Sequence, residues 1–482
     1  MNVSAALLAL LLPWAAGGLL CRLLFGARPA PGRACIAVGA GFLVGCTAWG
    51  MALRWYPERG TTEDLFAATA GWLAGIVLLG GLALLLMQRR RSQDVPDSGE
   101  PPHALDAAAT RRRRTAWAVA LLVAAFGVLI VLQSVALPAL AWDAWNAWFA
   151  KAKGWYFAGH LVPPLPPRAW LAATPGSGIA VLAAHYPDTL PRLAVWMASA
   201  SGGWHEPAVH LLWPGAWLAL GLALFGLQRR AGVDVLPAVT VAGFVLTLPL
   251  VLAHATLAGY ADLWVAAMLL VATAQAEQWL RTRRWQDAAL ALLAAALLPA
   301  LKHEGAIWFA CLGAAVLLAQ LPRRGRWIAL AAALAVFAIS LPFGGLSLPL
   351  PGLGWVTLGW GVAVVPGLGT LDLHWRAVTG PVLESLFLRE NWNLLWYAAP
   401  LVLWFGRGAL RQPSVAALGW FFAFGFAFLF VLFFFTDASR WAQNLTSLNR
   451  IVLQMVPALV FWLSLLWRDR NTPSDTPRPS PH

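Results

Sequence analysis

Ionisable residues are scarce in this chain, and five small groups of them have the types that general acid–base work and anion binding need. The first is Asp143, set in the run Trp142-Asp143-Ala144-Trp145-Asn146-Ala147-Trp148 directly after a long apolar stretch, 115–141. The others are His185-Tyr186-Pro187-Asp188, Gly259-Tyr260-Ala261-Asp262, Leu301-Lys302-His303-Glu304-Gly305, and Ser439-Arg440 with Asn449-Arg450. A carboxylate at a membrane edge is costly unless water or a partner solvates it, which makes such a residue a functional candidate by default. Tryptophan favours the water–lipid interface and offers flat faces on which a sugar ring or a cation stacks. For an anion, lysine supplies a point charge and arginine a bidentate fork. Carboxylate, aromatic surround and membrane edge together point to chemistry on a lipid-anchored or carbohydrate substrate.

The elements that must position these groups are set by composition. Of 482 residues, 60% are hydrophobic and only 11% charged. Long apolar runs recur along nearly the whole chain, which predicts an all-α, polytopic transmembrane bundle. Runs of membrane-spanning length fall near 5–25, 34–54, 65–87, 116–138, 207–227, 235–257, 261–279, 286–301, 305–321, 326–343, 392–408, 414–435 and 450–467, about thirteen spans. The stretch 188–203 is shorter and reads as a short or re-entrant helix. With the connections alternating, 23 of the 34 basic residues and 9 of the 21 acids lie on one face, for net charges of +14 there and −1 opposite. This asymmetry predicts that the basic face is cytoplasmic, and it argues against reading the net charge of +13 as a nucleic-acid interface. All five groups then open on the opposite, outer face, as an aqueous site would require.

Four regions are expected: a three-span N-terminal bundle (1–87), a flexible cytoplasmic linker (88–114), a larger transmembrane module (115–467) and a disordered tail (468–482). The first apolar run lacks a basic leader and reads as a retained span. Two long outer loops, Pro138 to Pro187 and Gly344 to Asn391, are expected to hold surface-lying helices that roof a cavity. Cys21, Cys35, Cys46 and Cys311 all lie in apolar runs, in no disulfide or zinc pattern.

In order and spacing the five groups resemble the GT-C superfamily of membrane glycosyltransferases, over a region from about Thr115 to Trp467. Asp143 matches the acid of the family's first outer loop. His185-Tyr186-Pro187-Asp188 is similar to a His-Pro-Pro or Tyr-Pro-Pro opening of the next helix, with Asp188 in place of the second proline. Leu301-Lys302-His303-Glu304-Gly305 is similar to a Leu-Lys-Asn-Glu-Gly turn, with His303 in place of Asn. The resemblance implies transfer of a sugar from a polyprenyl-phosphate donor to a glycan, lipid or protein acceptor at the outer face of a bacterial cytoplasmic membrane, with inversion. It implies Asp143 as catalytic base. Lys302, Arg450 and Arg440 would hold the donor phosphate. Glu304, Asp262, Tyr260, His303, His185, Asp188, Trp142 and Trp145 would support the site or bind sugar. No organic cofactor is implied, and a divalent metal is left open.

Blander readings stand beside these. Asp143 and Asp262 could simply cap helices. Lys302 and Glu304 could be an ion pair closing a turn. Arg440 could be an ordinary exposed arginine, the histidines could be solvated, and the tryptophans could be interfacial anchors. A different functional class is a transporter or flippase of a lipid-linked saccharide, although no inverted repeat is visible and the polar groups gather at one mouth rather than at mid-membrane.

Overall fold

The computed structural model describes residues 1–25, 30–56, 60–92, 107–351, 354–366 and 369–471. About 76% of it is helical, and it forms an all-α bundle with little strand. Among the described residues, eight helices are long and apolar enough to cross a membrane: Val3–Phe25, Arg33–Trp55, Leu65–Arg89, Ala108–Ala136, Glu206–Arg230, Arg323–Phe343, Pro413–Phe435 and Ser447–Arg468. The pair Val235–Leu246 and Pro249–Thr256, bent by 64°, makes a ninth when taken as one span. The other four expected runs are helices of a different character. Trp285–Leu301 and Glu304–Gln320 have 17 residues each, and Leu395–Gly406 has 12. Asp262–Thr282 has 21, but Asp262, Gln275, Glu277 and Gln278 make it polar for a lipid-facing helix.

That polar helix sits at the centre. Eighteen of its 21 residues are buried, so protein rather than lipid surrounds its polar side chains. Trp285–Leu301, Leu212–Arg230, Pro413–Phe435 and Ser447–Arg468 pack around it. The N-terminal helices share the same hydrophobic core: Phe42 lies 5.3 Å from Trp264, and Trp196 donates to the Ala9 carbonyl at 2.8 Å. Gly17, Gly41 and Gly45 let Val3–Phe25 and Arg33–Ala52 touch backbone to backbone, the small-residue packing that membrane helices favour. The stretch read as a short helix is helical over Thr189–Ser201 and is almost wholly buried.

Of the expected linker, residues 93–106 lie outside the described set, as do Arg28 and residues 472–482 of the expected tail. The linker's described ends are helical rather than flexible. Leu65–Ser92 runs past 88, and Ala107–Ala136 takes in Arg111 to Arg114, which are good helix formers continuing an apolar run. The four cysteines are free.

The first of the two long loops, 138–187, carries the short helices Trp142–Asn146, Trp148–Ala158 and Pro167–Ala172. The second departs from expectation. It folds mainly as a four-stranded antiparallel meander, Leu346–Leu350, Gly354–Gly359, Val362–Val365 and Gly369–Asp372, followed by the short helix Thr379–Leu383. Valine, leucine and threonine in runs of four to six suit strands. Gly361, with φ of +67°, closes the two-residue turn after Gly359.

Candidate active site

Two irregular turns bring the charged groups together. In the bent pair, Pro249 offers no N–H to continue the helix. Carbonyls near the break are recovered by side chains: Thr247 Oγ1 donates to Gly243 O at 2.8 Å and Trp217 Nε1 to Leu246 O at 3.0 Å. The chain then turns through Gly259, whose φ of +112° a residue with a Cβ rarely adopts. An added Cβ there would strike Ala144, so this glycine lets the Tyr260-Ala261-Asp262 turn press against the Asp143 helix. Gly305 does the same for the second turn, where a Cβ would run into the Leu298 carbonyl. Lys302 thereby sits between Trp285–Leu301 and Glu304–Gln320 with its side chain turned inward, 4% exposed.

Asp262 is the hub. Its Oδ1 accepts from Lys302 Nζ at 2.8 Å and from Gln454 Nε2 at 2.6 Å. Its Oδ2 accepts from Arg450 Nε at 3.2 Å and Nη2 at 2.8 Å. The carboxylate is fully buried and lies in the first turn of its helix, where the helix dipole favours negative charge. The same guanidinium reaches Asp143, with Nη1 at 3.0 Å from Oδ1 and Nη2 on Oδ2. Arg450 thus forks two carboxylates 119 residues apart in chain order — 143 and 262 — and stacks 4.5 Å over the Tyr260 ring. Asp143, with its side chain 16% exposed, is the rim of this cluster and Asp262 its floor. Neither aspartate acts as a simple helix cap.

Beside the hub, Lys302 also pairs with Glu304 Oε1 at 3.1 Å. Burial alone would lower the Lys302 ammonium, but Asp262 and Glu304 overcome this and raise it. The rings of His185, Tyr186 and His303 stack with centroids 4.8 to 5.5 Å apart, Tyr186 lying 5.9 Å from Lys302 Nζ. His303 Nε2 meets the His185 carbonyl at 3.0 Å. Glu304 Oε2 and His303 Nδ1 are buried and have no hydrogen-bond partner among the described residues. Burial lowers both histidines; the charge of His303 adds to this at His185, while at His303 Glu304 opposes it without reversing it.

The structure therefore gathers Asp143, Tyr260, Asp262, Lys302, Glu304 and Arg450, with His185 and His303 adjoining. Trp142 and Trp145 flank Asp143 with their rings exposed. Two expected members lie apart. Asp188 is bound by buried Lys151 at 2.9 Å and by Arg192 at 3.1 Å, so it fixes the first outer loop to the Thr189–Ser201 helix. Arg440 is exposed and rests 5.6 Å over Trp441, with no link to the aspartates.

Three participants were missed. Gln454 lies one helical turn after Arg450, a spacing that puts both on one face and was legible in the sequence. Trp308 steadies it, donating to Gln454 Oε1 at 2.7 Å, and lies one turn after Glu304. His254, 3.9 Å from Asp262 Oδ2, had no sequence signal beyond being a lone histidine in an apolar run.

The arrangement holds three carboxylates against two cations, with Asp262 buried and Asp143 at the rim. Such a set can accept a proton at Asp143 and hold negative charge at Arg450 and Lys302. Among the described residues no cluster of three or more His, Cys, Asp or Glu is placed to hold a metal ion. A separate apolar cavity of about 660 Å³, lined by Arg113, Trp117, Trp217 and Val235 among others, shares no residue with the cluster. No family model, curated protein or solved structure matches this chain.

Proposed function

We propose that the protein is an integral membrane glycosyltransferase that moves a sugar from a polyprenyl-phosphate donor to a hydroxyl of a glycan, lipid or protein acceptor. The observation that carries this reading is the Arg450 fork joining rim Asp143 to buried Asp262 and, through it, to Lys302. All thirteen apolar runs are spans in this reading, with the cluster on the outer side of a bacterial cytoplasmic membrane. The arginine-rich termini of the helices face inward.

The chemistry follows from the residues. Asp143 takes the proton of the acceptor hydroxyl as its oxygen bonds to the anomeric carbon. The bond from that carbon to the phosphate oxygen breaks, and its electron pair leaves on the polyprenyl phosphate. Charge separates in an oxocarbenium-like transition state, which Arg450 and Lys302 stabilise by holding the departing phosphate. Attack from the side opposite the phosphate inverts the anomeric centre. His303 Nδ1 and Glu304 Oε2, both without a protein partner, suit sugar hydroxyls beside the aromatic stack.

The test is a transfer assay on the purified protein with polyprenyl-phosphate-linked sugars, run with and without a metal chelator. Asp143→Asn should lower the rate by about 10²–10⁴-fold, the range of a lost general base. Near-wild-type turnover would remove Asp143 from the role. The bent helix pair favours a second reading, a transporter of lipid-linked saccharide, since broken helices often frame transport sites. Proteoliposomes that translocate the labelled lipid without forming product would select it.

A further inference from the structure

The proposal below rests on the reading just given and concerns how the same site is kept inactive and then switched on. In the structure Asp143 cannot act as a base and Arg450 cannot hold a phosphate, because each occupies the other. Both Asp143 oxygens accept from the two terminal nitrogens of Arg450, while Nε and, shared, Nη2 go to Asp262. Lys302 is likewise taken by Asp262 and Glu304. With three carboxylates against two cations, the resting cluster has no positive charge to spare for an anion.

One contact can be surrendered more cheaply than the rest. Asp262 is fully buried and keeps Lys302 and Gln454 whatever Arg450 does. Releasing Asp262 would strip both donors from its buried Oδ2, which water cannot reach to replace them, and that is the costlier change. Asp143 is at the rim, its side chain 16% exposed, and its carboxylate has Arg450 as its one side-chain partner among the described residues. Water can take over solvation of Asp143 once the fork lets go.

We propose that Asp143 is a built-in competitor of the donor phosphate for the outer edge of Arg450, so that docking the anion releases the base. The phosphate replaces one carboxylate on the two terminal nitrogens, geometry that carboxylate and phosphate share. Arg450 stays anchored to Asp262 throughout, which keeps the fork aimed outward. The freed Asp143 carboxylate then stands beside the bound donor, ready for the acceptor proton. Donor binds first, and the base is unmasked only when there is a sugar to transfer. Without donor, the masked carboxylate does not activate water or a stray hydroxyl.

Affinity measured directly distinguishes this from a merely structural pair, because removing a competitor tightens binding while removing a support loosens it. The probe is farnesyl phosphate, with farnesol as its uncharged counterpart, titrated into the full-length protein in detergent. Asp143→Asn, and independently Asp143→Ala, should bind farnesyl phosphate about tenfold tighter or more than wild type, with farnesol unchanged. Transfer should be lost in the same variants, so binding and turnover move in opposite directions. Glu304→Gln removes a nearby negative charge without touching the fork and should tighten binding much less. Equal tightening in Glu304→Gln would reduce the effect to general charge and overturn the exchange, as would unchanged or weaker binding in both Asp143 variants. In those cases wild type still prefers farnesyl phosphate to farnesol and the anion site stands. If wild type and every variant bind the two probes alike, the phosphate site fails, and the transfer reading fails with it.

Discussion

The two ends of the bundle use arginine in opposite ways. At the arginine-rich end the guanidinium groups mostly finish helices. Arg229 donates to the Val233 carbonyl at 2.6 Å, Arg470 to Trp467 at 2.7 Å and Arg407 to Trp404 at 3.3 Å, while Arg468 reaches the Ala231 carbonyl. Cations at helix C-termini satisfy orphan carbonyls and suit the helix dipole. Asp287, a buried carboxylate at that end, takes Arg230 and the Thr282 hydroxyl. At the Asp143 end, Arg450 stands in the first turn of its own helix, where the dipole disfavours a cation. It stays because two carboxylates from distant segments converge on it. An arginine that links two carboxylates against its own helix dipole can exchange one of them, and one that caps carbonyls has no comparable freedom.

This contrast can be broken by experiment. Asp262→Ala would take the shared partner from Lys302 and Arg450, leaving each with one carboxylate, at a cost of about 3–5 kcal/mol, and should abolish transfer. Asp287→Ala strands only Arg230, which also lies over Phe25, and should cost about 1–3 kcal/mol while leaving turnover intact. Thermal unfolding in detergent with parallel transfer assays measures both; equal losses of stability would erase the distinction. Next in size, Arg450→Lys keeps the charge but cannot serve two carboxylates as a planar fork, and transfer should fall about tenfold. Arg230→Lys, facing one carboxylate, should stay within about twofold, and a comparable drop in both would show that charge alone matters.

The smallest effect concerns the outer stack. His185 and His303 have folded values below 6.5, so on acidification the unfolded chain takes up protons first. Stability should therefore fall as pH drops from about 7 through the 6.5 region, and His303→Gln should lessen that fall. A variant with the same melting profile between pH 7.5 and pH 5.5 as wild type would exclude the stack as the source.

The cluster was largely legible in the sequence for one physical reason. Charge is so expensive in an apolar chain that Asp143, Asp262, Lys302, Glu304 and Arg450 stand out before any fold is known. The helical bundle was legible from the length of the apolar runs. What escaped were partners whose signal is not charge. Gln454 and Trp308 support the hub through neutral hydrogen bonds, and only their one-turn spacing from Arg450 and Glu304 betrays them. Asp188 has the same chemistry as Asp143, and only three-dimensional proximity to Lys151 and Arg192 sends it to a different task. The meander of the second outer loop was hidden because short valine-rich pieces between glycines read equally as irregular chain.

The central helix Asp262–Thr282 carries a consequence for how the protein is made. Its carboxylate and glutamines make it a poor candidate to enter lipid unaided. Its arginine partner is synthesised 188 residues later, in the Ser447–Arg468 helix. During translation Asp262 must therefore wait with Lys302 as its cation, sheltered by earlier helices, until the Ser447–Arg468 helix docks and Arg450 joins it. Chains released before residue 447 should be recognised and degraded as orphans, since they carry the buried Asp262 without Arg450.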